Sequence, residues 1–221
     1  MTLADKDPGA RLAGVLLLIA VVAILTAAAV VVPSGLTLNP ADPTTTLTAV
    51  HDHVGLHLTE LAFDVFGWLA LTAAGLLLAG NPDAMFRPHL AVLAGGLLAA
   101  AGLAGLLHDA GNLAVTQLAA KPAETVADVA GAMMLTAKWA VNLAGLLWAA
   151  ATVVMTIGAD LPDRLRLAGG LAALAGLAAV AVPWTTGTNG MSPTLEQLGY
   201  ALQVPVMIWY GFLGWRLVRQ W

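Results

Sequence analysis

The sequence predicts an all-α fold, a polytopic membrane bundle of six transmembrane helices with both termini cytoplasmic. Three observations predict it. Several apolar runs approach 20 residues, enough to cross a hydrocarbon core of ~30 Å at 1.5 Å per residue. Only 10% of the 221 residues are charged and 59% are hydrophobic, whereas a soluble domain carries about 25% charged residues. The runs are rich in Leu and Ala and do not alternate, which favours helices over a barrel.

Each element follows from the local pattern. Leu12 to Val32 is an uncharged run of 21 residues behind Arg11. It exceeds the ~7–15 residues of a signal-peptide core, so it reads as a span. Residues 33–50 are rich in Pro, Thr and Asn and read as a loop, with His51 and Asp52 at its end. The second span covers 54–79, and Gly80-Asn81-Pro82-Asp83 is a tight turn. The third covers 90–107 and ends in His108-Asp109-Ala-Gly-Asn112. Residues 113–131 are mixed, are broken by Lys121-Pro122, and carry Glu124 and Asp128 on one face. They read as a surface segment of the interfacial kind. The fourth span covers 133–157, the fifth 165–182 up to Pro183, and the sixth 198–218 with a kink expected at Pro205. The whole chain reads as a single transmembrane domain.

Orientation follows from the Lys and Arg residues, which concentrate on the cytoplasmic side of membrane proteins. With six spans, Lys6, Arg11, Arg87, Arg164, Arg166, Arg216 and Arg219 share one side, and Lys121 and Lys138 lie on the other. Seven against two puts both termini inside a cell's inner (cytoplasmic) membrane. Trp184, Trp215 and Trp221 fall near span ends, as interfacial anchors do. Arg11-Leu-Ala-Gly-Val-Leu-Leu-Leu-Ile, the polar start of the second span with Asp64, Leu161-Pro-Asp-Arg-Leu, and Trp209 to Arg216 together resemble a group of uncharacterised bacterial six-helix integral membrane proteins. The resemblance implies the six-helix fold and carries no activity.

The polar start of the second span, HDHVGLHLTELAFD over 51–64, holds the candidate chemistry. His53, His57, Glu60 and Asp64 recur at steps of four, three and four, within an arc of roughly 60° on a helix. With six spans, these residues share the outer half of the bundle with His108, Asp109, Asn112, Lys138 and Asn142. Asp64 lies ten residues below Val54, ~15 Å down and near the midplane. Buried acids there need a partner, an ion or a proton, and Lys138 is the expected counter-charge.

The same residues support several chemistries. His53, His57, Glu60, His108 and Asp109 offer nitrogen and oxygen ligands for a divalent Zn, Cu, Fe or Mn ion. Asp64, Lys138, Asn142 and Asn112 suit an ion pair or proton handling, although nothing equally polar continues inward. A b-type haem between His57 and His108 is a third reading. A polar knot in a structural or accessory subunit, with no chemistry of its own, is the fourth. Tyr200, Gln203, Met207 and Tyr210 form a face of the last span, read as core that could also line the cavity. His89 reads as an exposed residue. With no cysteine, disulfides, thiolate metal sites and covalent c-type haem are excluded. No nucleophile elbow, P-loop, dinucleotide fingerprint or zinc-protease helix is present, and no basic patch points to nucleic acid. The expected partners are the lipid bilayer and further copies or subunits of a membrane complex.

Overall fold

The structure, a computed structural model, describes residues 8–81, 87–187 and 192–220. Lys6, the Pro82-Asp83 half of the expected turn, residues 188–191 and Trp221 lie outside them. The described residues form seven α-helices: α1 Pro8–Ser34, α2 Pro43–Asp52, α3 Val54–Gly80, α4 Pro88–Leu118, α5 Ala123–Gly158, α6 Asp163–Trp184 and α7 Pro193–Gln220. Five of them, α1, α3, α4, α5 and α6, are long and apolar enough to cross a membrane. The protein thus has the make-up of an α-helical membrane bundle.

Neighbour packing runs α1–α3–α4–α5–α6–α7 and closes from α7 back to α1, so six long helices make a ring. Its centre is filled by aromatic rings from three helices. Trp68 of α3 meets Trp148 of α5 with centroids 5.8 Å apart, Trp148 meets Tyr210 of α7 at 5.7 Å, and Tyr210 meets Trp209 at 5.0 Å. Aromatic pairs at such separations are attractive beyond the area they bury. Lipid supplies no hydrophobic drive between helices, so close backbone approach has to hold the ring together. Gly75 of α3 and Gly95 of α4 face each other so closely that a Cβ on Gly75 would strike Ala99 N and Gly95 O.

Two of these elements depart from the sequence expectation. The 33–50 loop contains α2, started by Pro43 in its first turn and by Asp42, whose Oδ1 accepts from Thr45 N at 3.1 Å. This is the usual chemistry of a helix start. The 113–131 surface segment is not a separate element. Its first part continues α4 and its last part begins α5, with Lys121-Pro122 at the turn between them. Leu38, Leu47, Val50, Val115, Ala119, Ala130 and Met134 cluster there, so α2 packs on the protruding α4–α5 tip. His51 Nδ1, 3.0 Å from Ala119 O, ties α2 to the end of α4.

The α3–α4 register sets what Asp64 faces. Along the α3–α4 pair, Gly75 faces Gly95 and Ala99, Gly102 faces Thr72, and Gly105 faces Trp68. One turn further, Asp64 falls opposite Asp109. His108 is twenty residues from the start of α4, or ~30 Å, which already equals the thickness of a hydrocarbon core. Asp64 is thus ten residues along α3 from Val54 and level with a point about twenty residues along α4 from Pro88. Trp139 and Trp184 pack edge-on at the same level, 5.5 Å apart, and both are exposed, as in an interfacial belt.

Candidate metal centre

The α3 stripe begins at His57. His57, Glu60 and Asp64 are 1%, 8% and 9% exposed and face α4. His53 does not join them: it is the exposed residue at the α2–α3 break, with non-helical backbone. His89 is exposed, as expected.

On α4 the polar residues fall in consecutive turns. His108 Nδ1 lies 2.9 Å from the carbonyl oxygen of Ala137 on α5. A carbonyl only accepts, so Nδ1 carries the proton and the Nε2 lone pair is left for another partner. Asn112 Nδ2 lies 3.0 Å from that Nε2, and the amide donates to it. Asp109 is 1% exposed, and its carboxylate meets no N–H donor; the group against it is the carboxyl of Asp64. Asp64, His108 and Asp109 each present a ligand atom within 4.8 Å of the others. A buried cluster of one imidazole and two carboxylates that can hold a metal ion thus lies between α3 and α4.

His57 stands beside this trio. Its Nδ1 is 3.6 Å from Glu60 Oε2, outside hydrogen-bond reach, and the ring approaches the backbone of Asn112 without a well-formed hydrogen bond. Each buried polar group left unsatisfied costs about 1–3 kcal/mol. Such groups need an occupant, whether an ion or water.

The expected pairing of Lys138 with an α3 carboxylate is not the one formed. Its Nζ pairs with Glu196 of α7, and Glu196 Oε1 also accepts from Tyr200 OH at 2.9 Å. Glu196 has no role in the sequence reading, which takes 184–196 as a loop; it lies in the first turn of α7. Asn142 is likewise engaged elsewhere, bridging Val180 O at 3.1 Å and Trp184 Nε1 at 3.0 Å. These contacts join α5 to α6 and α7, and leave the acids between α3 and α4 without the lysine that was to neutralise them. Tyr210 belongs to the aromatic core, with no exposure, while Tyr200 remains 39% exposed.

Trp68 lies one turn below Asp64, against Gly105, where a Cβ would strike its ring. With Leu71, Trp148 and Tyr210, all at most 5% exposed, it floors the polar cluster. A surface groove of about 970 Å³ lies at the other end around Arg87, Asp160 and Arg166, and shares no residue with the cluster.

No family model matches the chain, and neither a curated protein nor a solved structure matches it.

Proposed function

We propose that this is a six-span protein of the cytoplasmic membrane, with both termini inside, that binds a divalent metal ion between α3 and α4 near the outer interface. Asp64, His108 and Asp109 are its ligands. The observation that carries this reading is Asp109, buried with no N–H donor on its carboxylate and set against a second carboxylate and an imidazole.

The chemistry of the donors supports it. A metal-bound histidine commonly gives its other N–H to a carbonyl, which fixes the tautomer and raises ligand basicity. His108 has that arrangement through Ala137. One nitrogen and two carboxylate oxygens suit Mn, Fe or Zn, with Cu also compatible. Two carboxylates held together in low dielectric repel unless a cation or a proton lies between them, and Lys138 is committed to Glu196. The aromatic floor favours a bound ion over a proton path, because among the described residues the buried side chains inward of Asp64 carry hydroxyl and indole groups and no carboxylate or imidazole.

The sixth span is α7, 28 residues long. The seven-to-two distribution of Lys and Arg supports its crossing and the orientation of the termini. Metal analysis of the purified chain, with an optical spectrum beside it, tests the reading. About one or more equivalents of Zn, Fe, Mn or Cu are expected. A haem absorption band would favour the His57–His108 haem instead. Protein that neither carries metal nor takes it up would be the structural subunit.

A further inference from the structure

We propose that the cluster holds two divalent ions, the second one between His57 and Glu60. This rests on the metal reading above and extends it.

The trio of Asp64, His108 and Asp109 accounts for one ion and leaves His57 unexplained. His57 is 1% exposed, yet neither ring nitrogen makes a well-formed hydrogen bond, the nearest approach being to the Asn112 backbone. It is the most buried histidine of the α3 stripe, held three residues before Glu60, so the two side chains rise from one helix face. Their separation, 3.6 Å from Nδ1 to Oε2, is too long for a hydrogen bond. It is close to the roughly 3.4 Å that divides two tetrahedral ligands each about 2.1 Å from a shared ion.

The two positions are joined by a carboxylate. Asp109 lies beside Asp64 and within electrostatic reach of Glu60. Its carboxylate meets no N–H donor and lies against the Asp64 carboxyl, so one oxygen can stay with the Asp64 ion and the other turn toward Glu60. Paired ions sharing carboxylates are a recurrent arrangement in proteins that act on oxygen-bearing substrates. The charges also accommodate two. Glu60, Asp64 and Asp109 bring three negative charges. One divalent ion leaves a single negative charge, and two leave a single positive one, which a hydroxide would cancel.

The test uses the full chain in detergent, stripped with a chelator and dialysed to equilibrium against Mn2+ or Zn2+. Wild type should saturate at about two ions per chain, and His57→Ala and Glu60→Gln at about one. With Mn2+, the wild-type electron paramagnetic resonance spectrum at saturation should show the broadening of paired ions, and the two variants should show isolated ions. Wild type saturating at one ion, or both variants retaining two, would overturn the second position. No binding by wild type would instead overturn the metal reading itself. Thermal melts establish that the variants are folded, and Glu60→Gln, nearly isosteric, decides the matter if His57→Ala is not.

Discussion

His108 of α4 and Ala137 of α5 are joined by an imidazole-to-carbonyl hydrogen bond of 2.9 Å, from Nδ1 to the backbone oxygen. The bond fixes which nitrogen faces the carboxylates. A metal ion would find a neutral imidazole already in its ligand tautomer and would have to displace only the Asn112 amide from Nε2.

Metal should therefore stabilise the protein in a pH-dependent way. An ion at about a hundred times its dissociation constant adds about 2.7 kcal/mol to the folded state. Protons compete for the imidazole and the carboxylates, so the increment should be present at pH 7.5 and vanish as pH falls to about 5. Melting curves with and without Zn2+ at both pH values check this. His108→Ala should show a clearly smaller increment than wild type at pH 7.5. An increment independent of pH would place the bound ion elsewhere.

The ion pair between Lys138 and Glu196 fastens α5 to the start of α7. Its side chains are 22% and 14% exposed, so solvent screens part of the cost of breaking it. Lys138→Ala and Glu196→Ala should each destabilise by about 1–3 kcal/mol, below the full cost of a wholly buried pair. Lys121→Ala, at the exposed α4–α5 turn, should do almost nothing. A double variant that costs the sum of the two singles would show that the pair contributes no coupling.

Helix contact between α3 and α4 can be probed at neighbouring glycines. On Gly95 a methyl group would strike the backbone of Ala79 and Gly75, whereas on Gly96 it would meet nothing within 4 Å. Backbone cannot swing aside, so Gly95→Ala should lose about 1–3 kcal/mol. Gly96→Ala should be neutral or slightly stabilising, since alanine is the better helix former. Comparable melting temperatures for the two variants would contradict the α3–α4 register, and with it the placing of Asp64 opposite Asp109.

Topology is testable with reporter fusions. Fusions after Gly80 and Asp160 should report the cytoplasm, and one after Thr186 should report the outside. A cytoplasmic signal at Thr186 would rule out the six-span arrangement with both ends inside.

Much of this was legible in the sequence. Continuous apolar runs located the long helices, because burial in lipid demands them whatever the packing. The period of the α3 stripe correctly grouped His57, Glu60 and Asp64 on one buried face. The ends of the elements were harder. His108, Asp109 and Asn112 look like the end of a span, yet α4 continues to Leu118, because polar side chains that face a neighbouring helix do not stop a helix. Asp42 and Pro43 did carry a helix-start signal for α2, within a stretch whose prolines and threonines read as loop. Partner choice was not legible. Lys138 lies on α5 at the level of the acids, but Glu196 is 58 positions away, and only the closing of the ring brings α7 beside it. His53 fails for a local reason, since the turn between α2 and α3 falls on it.

Anomalous X-ray scattering at the zinc edge, from crystals of the zinc-loaded protein, tests the central claim most directly. The account predicts a peak between α3 and α4, about 2.0–2.2 Å from His108 Nε2 and from a carboxylate oxygen each of Asp64 and Asp109. Asn112 should have turned away from Nε2. Zinc peaks confined to the protein surface, with Asn112 still bonded to His108, would contradict it.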